Sequence, residues 1–369
     1  MNNNFEVFKN ARVLVTGHTG FKGSWLVTWL ASLDAVVAGL SDKVPSNPSN
    51  YEVSNIASLA TEYQVDIRNA KDVQKVVKEF QPDFVFHLAA QALVRDSYNS
   101  PLETLEVNAL GSANILESLR ILDKKVVAVM ITSDKAYDNV EWVWGYRETD
   151  RLGGKDPYSA SKGMAELAIK TYVESFFNQP SSQVRVGIAR AGNVIGGGDW
   201  AKDRIIPDCV NSWSEDNIVE IRSPSATRPW QHVLEPLSGY LVLASNLAQS
   251  SCNHGESYNF GPSLNQNYPV SELINEMSKY WDQVKWSDVS KNEDHLHEAE
   301  LLKLNCDKAI FNLKWISVLQ FEETVKMTVE WYKKYYQDHT ISMQDFTLFQ
   351  IGEYTKLAKS RKLAWACDD

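Results

Sequence analysis

A glycine-rich turn near the N-terminus constrains the fold of this 369-residue chain more than any other feature. An apolar run over residues 11–16 is followed by Gly17-His18-Thr19-Gly20-Phe21-Lys22-Gly23, and apolar residues then recur at helical spacing as far as Leu33. This order of strand, glycine turn and helix is typical of dinucleotide binding, because the glycines let backbone N–H groups approach a pyrophosphate at the helix N-terminus. A purely structural turn is the alternative.

Alternating strand and helix patterns follow this turn. The predicted strands cover residues 36–40, 63–66, 83–88, 125–132 and 183–191, and the predicted helices cover residues 73–80, 104–122 and 157–177. Strands separated by helices require right-handed crossovers and a mostly parallel sheet. The pattern therefore predicts an α/β fold, a Rossmann-type doubly wound parallel sheet with a smaller mixed α/β substrate-binding region.

The pattern changes after Asn193, where Gly196-Gly197-Gly198 predicts a flexible turn. Short strand-like pieces such as residues 218–221 then mix with short helices, and a last helix is predicted near residues 346–361. We predict an NAD-binding domain over residues 1–192, which also receives later segments from about 225 to 262. Residues 193–369 are expected to form mainly a substrate-binding region and a C-terminal tail.

Composition argues against several classes of partner. The formal net charge of −10 argues against nucleic acid. No stretch approaches the roughly 20 apolar residues of a membrane span, and the N-terminus lacks the basic and apolar regions of a leader, so a cytoplasmic protein is expected. The cysteines lie far apart, which predicts free thiols and no metal site; they are Cys209, Cys252, Cys306 and Cys367.

Residues after the second and third predicted strands are candidates for the adenosine end of the cofactor. An acid about 20 residues past the glycines binds the adenosine ribose in such folds, and Ser41 and Asp42 occupy that place. Asp42 as an ordinary loop carboxylate is the alternative. No arginine follows this strand, which favours NAD over NADP. Asp66 and Ile67 are expected beside the adenine, although Asp66 could instead cap the next helix. Lys22 lies either close to the cofactor phosphates or on the surface.

Tyr158 and Lys162 are the candidate proton-transfer pair. They lie four residues apart at the start of a predicted helix, so both side chains share one face. A nearby ammonium favours the phenolate and lowers the tyrosine pKa, which a base acting on a sugar hydroxyl requires. The Tyr-x-x-x-Lys pattern often arises by chance, but here Ser133 ends the preceding strand and the glycine turn supplies a cofactor site.

Several motifs in order resemble the extended short-chain dehydrogenase/reductases that act on nucleotide sugars. These motifs are the turn from Gly17 to Gly23, Leu88-Ala89-Ala90, Asn108, Ser133 and Tyr158-x-x-x-Lys162. The resemblance spans roughly residues 10 to 265. It implies NAD as cofactor, in contact with Leu88, Ala89 and Ala90, and a Ser133-Tyr158-Lys162 triad that moves the proton of the sugar 4-hydroxyl. It also implies a structural role for Asn108.

The two residues after Ser133 indicate which reaction follows the oxidation. Epimerases of this family usually have a small or uncharged residue there, whereas 4,6-dehydratases have an acid and then a base. Asp134 and Lys135 supply such a pair, since a base must take the C5 proton and an acid must protonate the departing 6-hydroxyl. Many dehydratases carry Asp-Glu here, so Lys135 departs from the pattern, and a solvated loop cation is the alternative. Burial and the nearby Lys162 are expected to lower the pKa of Lys135.

Further segments are similar to the CDP-glucose 4,6-dehydratases within this family. They are Thr-Ser-Asp-Lys at 132–135, His-Leu-Ala-Ala-Gln at 87–91, and the stretches 192–200 and 228–233. This resemblance implies conversion of CDP-glucose to CDP-4-keto-6-deoxyglucose through C4 oxidation, loss of water across C5 and C6, and hydride return to C6. It also implies a homodimer through the helices at 104–122 and 157–177. A nucleotide-sugar 4-epimerase and a non-catalytic NAD sensor are the alternatives.

The candidate substrate-binding residues offer positive charge or hydrogen-bonding groups; they are Gln91, Asn193, Arg204, Arg228 and His232. A guanidinium matches the paired oxygens of a diphosphate, so Arg204 and Arg228 are expected there. A surface ion pair is the alternative for Arg228. Asn193 could instead cap a turn, and His232 could be a packed residue of the core.

Overall fold

The computed structural model describes residues 3–290 and 301–367. Its strands are β1 (Arg12–Thr16), β2 (Val36–Ser41), β3 (Thr61–Gln64), β4 (Phe84–His87), β5 (Val126–Ile131), β6 (Val184–Ala191), β7 (Val194–Ile195), β8 (Val219–Ile221), β9 (Thr227–Arg228), β10 (Gln231–His232), β11 (Ser257–Phe260), β12 (Tyr268–Pro269) and β13 (Trp286–Asp288). Its α-helices are α1 (Phe21–Ser32), α2 (Asn50–Val53), α3 (Ala70–Phe80), α4 (Val94–Asn99), α5 (Pro101–Leu105), α6 (Gly111–Leu119), α7 (Pro157–Tyr172), α8 (Ile205–Ser214), α9 (Leu234–Gln249), α10 (Val270–Met277), α11 (Asp307–Leu313), α12 (Phe321–Gln337) and α13 (Met343–Ser360). A π-helical turn, Glu106–Leu110, joins α5 to α6, and another, Val173–Phe177, extends α7.

Seven strands form the central sheet within the described ranges. Their order is β11-β6-β5-β4-β1-β2-β3, and every neighbouring pair is parallel. The chain runs from β1 outward to β2 and β3, and then returns to the other side of β1 with β4. Ligands of doubly wound sheets bind outside the carboxyl ends of the strands where the order reverses, which here is between β1 and β4. The predicted fold class is confirmed.

Strand β5 shows how the two faces of the sheet are covered. All six of its residues are apolar and buried. Val127, Val129 and Ile131 share a core with α9, whereas Val126 and Met130 pack with residues of α6 and α7 on the opposite face. A parallel strand covered on both faces has a continuous apolar run instead of an alternating pattern, and such runs reveal the strands in the sequence.

The elements predicted over the first two-thirds agree in type and order with the structure. β3 ends at Gln64, two residues before the predicted end, because Asp66 turns away and accepts a hydrogen bond of 2.8 Å from the N–H of Arg68. The predicted helix over 104–122 begins at Pro101 and ends at Leu119, with the π-helical turn inside it.

Most elements after residue 193 were not predicted individually from the pattern, and two of them, α9 and β11, complete the sheet layer. α9 is buried on nearly every side, so it lacks the polar stripe from which a surface helix is identified. β11 pairs with β6 and forms an edge of the central sheet, which brings the chain back to the first layer. The division into two domains stays a prediction.

The C-terminal segment packs against the first helix of the sheet layer. α13 begins three residues before the predicted position 346. Tyr354 lies edge-on to Trp29 of α1 at 5.9 Å between ring centres, and Trp365 stacks on Phe5 at 5.7 Å. Buried Glu235 of α9 accepts hydrogen bonds from the hydroxyl of Tyr354 and from backbone N–H groups before α12, so the tail is fixed by buried contacts.

In the described part of the chain, no helix is long and apolar enough to cross a membrane. No group of three or more His, Cys, Asp or Glu side chains there could hold a metal ion.

Candidate active site

The glycine turn lies at the carboxyl end of β1, against the end of β4. Gly17 has a φ of +73°, and a Cβ at this position would lie 2.7 Å from the amide nitrogen of Ala89. A Cβ at Gly23 would lie 2.1 Å from the carbonyl oxygen of Gly17. Among the described residues, no side chain caps the start of α1. Because uncapped first-turn N–H groups attract anions, the turn fits a pyrophosphate, with half-buried Leu88, Ala89 and Ala90 beside it.

The end of β2 binds the glycine turn through Ser41. Its buried Oγ lies 3.0 Å from Nδ1 of His18 and 3.5 Å from the backbone nitrogen of Thr19. Nε2 of His18 lies 3.1 Å from Glu62 on β3, so the histidine links the two strands. Asp42 is exposed at the same edge. The structure thus places Ser41 and Asp42 at the expected end of the cofactor site, with only Ser41 tied to the turn.

Asp66 and Ile67 follow β3 at the same edge. Asp66 forms an ion pair of 2.6 Å with Arg68, and this hydrogen bonding lowers the pKa of the Asp66 carboxyl. Asn69 caps α3, so the alternative that Asp66 caps this helix is wrong. Ile67 is buried, and a Cβ on Gly111 would lie 2.5 Å from its Cδ1.

Strand β5 delivers Ser133, Asp134 and Lys135 to the same edge of the sheet. Ser133 precedes the 3-10 turn Asp134–Ala136, where its Oγ accepts the N–H of Lys135 at 3.2 Å and donates to Oδ1 of Asp134 at 2.9 Å. Asp134 is 4% exposed. Burial raises the pKa of its carboxyl, although Lys135 and Ser133 act in the opposite direction. A raised pKa extends the pH range over which a buried carboxyl holds a proton, which suits a general acid.

Helix α7 places Tyr158 and Lys162 against this turn. The helix begins at Pro157, and the side chain of Asp156 caps it by accepting the N–H of Ser159 at 2.9 Å. Tyr158 hydrogen-bonds with Ser133, and Nζ of Lys162 lies 5.9 Å from the centre of the Tyr158 ring. The structure therefore brings together the serine, tyrosine and lysine that the sequence singled out.

The acid–base state of Tyr158 differs from the expectation. The sequence predicted a lowered pKa through Lys162, but burial raises the pKa of Tyr158 to about 12, and the hydrogen bond with Ser133 only partly offsets it. Lys162 is itself buried, which lowers its pKa to about 8. The expected direction was wrong because removal of the phenol from water outweighs the charges around it.

Two further lysines lie near these groups. Lys22, in the first turn of α1, interacts electrostatically with Asp134, Lys162 and Arg204, and burial lowers its pKa to about 8. Lys22 is half-buried and its charge acts on the catalytic groups, which favours the alternative close to the cofactor phosphates. The half-buried side chain of Lys135 forms no hydrogen bond or ion pair with another described residue, so its role as a base stays a prediction.

Asn108 orders the loop after β4. Its Oδ1 accepts the N–H of Gln91 at 2.9 Å, and its Nδ2 donates to the carbonyl of Gln91 at 3.0 Å and to Oγ of Ser161 at 2.8 Å. Oγ of Ser161 donates to the carbonyl of Tyr158 at 2.6 Å. These contacts give Asn108 the structural role that the resemblance implied.

The remaining candidate substrate-binding residues differ in the hydrogen bonds and ion pairs that they form within the chain. Arg204 pairs with Asp199 at 2.6 Å, and its charge also acts on Tyr158, so it faces the catalytic groups. Arg228 is half-buried and donates to the carbonyl of Thr227 at 2.9 Å. Asn193, just after β6, is half-buried and accepts the N–H of Gln231 on its carbonyl.

His232 is not placed for substrate binding. Its side chain is fully buried and lies edge-on to Trp25 at 5.7 Å between ring centres. Its Nδ1 accepts the N–H of Leu234, and burial lowers the pKa of the ring to about 3. The structure supports the packed alternative, because no surface of the ring remains for a ligand.

Sequence reasoning missed a buried polar network beneath the site. Glu166 on α7 and Arg190 on β6 form an ion pair with both side chains fully buried, and Thr132 donates to Glu166 at 2.7 Å. Arg190 near the end of β6, which also carries the half-buried Arg185, was the available signal. It could not be interpreted from the sequence because its partner lies 24 residues away.

Comparisons with known proteins place the chain among nucleotide-sugar enzymes. The family model described as GDP-mannose 4,6 dehydratase matches residues 14–328. The CDP-glucose 4,6-dehydratase of Salmonella typhimurium is 46% identical over 330 residues, which cover 88% of this chain and 91% of that protein. The dTDP-glucose 4,6-dehydratase of Haemophilus influenzae is 24% identical, over 87% of this chain and 97% of that protein.

Solved structures share the fold over most of their length. Pal from Bacillus thuringiensis is 25% identical with a TM-score of 0.75, and the match covers 88% of this chain and 99% of Pal. DesIV, a dTDP-glucose 4,6-dehydratase from Streptomyces venezuelae solved with NAD and TYD bound, is 22% identical with a TM-score of 0.73 over 88% of this chain and 97% of DesIV.

Proposed function

The chain belongs to the GDP-mannose 4,6 dehydratase family. From its 46% identity to a CDP-glucose 4,6-dehydratase, we propose that it converts CDP-glucose to CDP-4-keto-6-deoxyglucose. It is a hydro-lyase of the nucleotide-sugar dehydratase type. The observation that carries the proposed reaction is the turn with Asp134 and Lys135, which directly follows Ser133, the hydrogen-bond partner of Tyr158. An oxidation site and an acid–base pair for elimination are thus adjacent.

The glycine turn is proposed to hold NAD. A cradle that Cβ atoms at Gly17 and Gly23 would fill, next to uncapped N–H groups of α1, fits the pyrophosphate of a dinucleotide. Ser41, Asp66 and Ile67 lie at the proposed adenosine end. NAD, when bound, supplies the hydride acceptor for C4 and the hydride donor for C6.

Ser133 and Tyr158 are proposed to take the proton of the sugar 4-hydroxyl. Tyr158 acts as a phenolate, which the hydrogen bond with Ser133 and the charge of Arg204 favour and burial opposes. The O–H bond of the substrate breaks, the proton moves to the phenolate oxygen, and the C4 carbonyl forms. Lys162 contributes a buried cation beside the ring.

Asp134 and Lys135 are proposed to carry out the elimination. The C4 ketone acidifies the C5–H bond, and Lys135 as a neutral amine takes that proton. The C6–O bond then breaks while Asp134 gives its proton to the leaving hydroxyl, which departs as water. The raised pKa of buried Asp134 supports this role, because the acid must still be protonated near neutral pH. Lys135 finally returns a proton to C5.

Arg204 and Arg228 are proposed to bind the substrate diphosphate, and Gln91 and Asn193 are proposed as further substrate-binding residues. The proposal that the substrate carries a cytidine base rests on the name of the 46% identical relative, since no contact between described residues selects a base. Nucleotide sugars and NAD are cytoplasmic metabolites, and we propose a cytoplasmic location on that ground.

The decisive experiment is incubation with CDP-glucose, without added coenzyme, followed by mass analysis of the nucleotide sugar. The expected result is a product that has lost one water, because NAD is regenerated in each turnover and no added coenzyme is needed. With substrate deuterated at C4, the deuterium should appear at C6 of the product. A product of unchanged mass with an inverted C4 would identify an epimerase. No change in any nucleotide-glucose tested would contradict the proposal.

Replacing Gly23 with alanine should weaken NAD binding. The new Cβ would lie 2.1 Å from the carbonyl oxygen of Gly17, so the turn must open and its N–H groups must move. We expect an affinity loss on the order of tenfold or more, measured by calorimetry with NAD after any resident coenzyme has been removed. Gly352→Ala is the matched control, because a Cβ there meets no described atom within 4 Å. Equal NAD affinities in Gly23→Ala and Gly352→Ala would contradict the proposal that the glycine turn holds the cofactor pyrophosphate.

We also propose a homodimer through the faces of α5, α6 and α7. Large apolar side chains are exposed at Leu102 of α5, at Leu110 of the π-helical turn that joins α5 to α6, and at Met164 and Leu167 of α7. Exposed apolar clusters of this kind mark protein interfaces. The double substitution of glutamate for Leu110 and Leu167 should halve the mass measured by light scattering, from twice 41.7 kDa to 41.7 kDa. Val143→Glu, at an exposed site on another surface, is the control.

A further inference from the structure

A fully buried ion pair lies directly beneath the catalytic groups. Two hydrogen bonds of 2.6 Å join the guanidinium of Arg190 to the carboxylate of Glu166. Glu166 lies one helical turn after Lys162 on α7, and Arg190 lies on β6, the neighbour of β5. Removing two charges from water is costly, and apolar residues of similar size often replace such pairs without loss of stability. The pair therefore calls for an explanation other than stability.

Thr132 connects this pair to the residue that starts the catalytic turn. Its Oγ1 donates to Oε1 of Glu166 at 2.7 Å, and Oε1 is also the oxygen that accepts from Nε of Arg190. Thr132 immediately precedes Ser133. One carboxylate thus joins the end of β5, the helix of Tyr158 and strand β6.

Arg190 holds the other end of the same turn. Its Nη1 donates to the hydroxyl of Tyr137 and to the carbonyl of Glu148, and the Tyr137 hydroxyl donates to Asn259 at 2.8 Å. Tyr137 is the first residue after the 3-10 turn. Both ends of the turn are therefore bound to one buried ion pair.

We propose that Glu166 is a positioning residue: with Arg190, it clamps both ends of the turn that carries Asp134 and Lys135 against the helix that carries Tyr158 and Lys162. The kinetic test of this inference, which measures kcat for CDP-glucose, rests on the proposed dehydratase function. The spectroscopic test, which follows the titration of Lys162, does not depend on that function. None of the comparisons with known proteins assigns a role to this pair.

The charge of Glu166 also faces Lys162. Burial lowers the pKa of Lys162, and attraction to Glu166 opposes that effect. Among the described residues, the other titratable groups that face Lys162 are Tyr158, Lys22 and His87, and His87 is neutral because burial lowers its pKa to about 3. Loss of the Glu166 charge must therefore move the titration of Lys162 to lower pH, an effect that loosened packing alone does not require.

The test uses Thr132→Val, Thr132→Ser and Glu166→Gln in the full chain. Thr132→Val keeps the shape and the ion pair but removes the hydrogen bond, so kcat for CDP-glucose should fall on the order of tenfold with KM nearly unchanged. Thr132→Ser restores the hydroxyl and should restore kcat. Glu166→Gln should lower kcat further and move the pH profile of kcat to lower pH.

A lysine titration decides the point without activity. In protein labelled with 13C-lysine, the signal absent from Lys162→Arg identifies Lys162, and it should titrate at lower pH in Glu166→Gln than in the wild type. An unchanged titration, or full kcat in Thr132→Val, would overturn the proposal. If Glu166→Gln fails to fold, the loss of kcat in Thr132→Val and its recovery in Thr132→Ser provide the test of the proposal. If the wild type dehydrates no nucleotide-glucose, the proposed function fails and the titration still tests Glu166.

Discussion

Replacement of Tyr158 by phenylalanine is expected to lower kcat for CDP-glucose about a thousandfold, because it removes the oxygen that takes the 4-hydroxyl proton. The ring is buried and stays in place, so KM and the melting temperature should change little. The residual rate should also lose the rise with pH expected of the wild type. That rise has a definite sign: burial raises the pKa of Tyr158 to about 12, and a phenolate base becomes more populated as pH increases.

The measurement is the steady-state rate of 4-keto product formation between about pH 6 and pH 9. This range lies below the raised pKa of Tyr158, so the phenolate fraction should increase throughout it. Tyr98→Phe is the matched control, because Tyr98 is half exposed and lies on α4, outside the proposed catalytic set. Retention of more than a tenth of the wild-type kcat by Tyr158→Phe would remove Tyr158 from the proton transfer.

Replacement of Lys135 by alanine should separate oxidation from elimination. Ser133 and Tyr158 remain, so the C4 ketone should still form, whereas the C5 proton has no base and dehydration should fall by two orders of magnitude or more. The expected signature is bound coenzyme that stays reduced, with absorbance at the nicotinamide band, and a nucleotide sugar that has lost no water.

The exposed Lys155→Ala provides the control for removal of a positive charge from the loop before α7. Equal loss of coenzyme reduction and dehydration in Lys135→Ala would place Lys135 outside the C5 proton transfer. In that case Lys22 becomes the next base to test, because it is an amine of lowered pKa that acts on Asp134 from the first turn of α1.

Much of the fold followed from local patterns. β5 is a run of six buried apolar residues, and Gly17 and Gly23 are required where the chain passes too close to itself for a side chain. Both features are legible in the sequence, because burial on two faces and a tight turn leave few residue types to choose from. α9 was missed for the opposite reason: burial on nearly every side removes the periodicity that identifies a helix.

The candidate site was predicted less completely. Ser133, Asp134, Tyr158 and Lys162 meet as expected, because two motifs lie at the carboxyl end of β5 and at the start of α7. The direction of the Tyr158 pKa was wrong, since spacing along a helix gives proximity to Lys162 but not the extent of desolvation.

The sequence by itself therefore determined the parallel sheet, the glycine turn and the acid–base residues next to Ser133, since each depends on residues close together in the chain. Tertiary structure alone decided that His232 is a core residue, that Lys22 faces Asp134, and that Glu166 and Arg190 lie beneath the catalytic turn. The physical reason is that burial and charge pairing depend on neighbours from distant strands and helices, and these neighbours are fixed only when the sheet assembles.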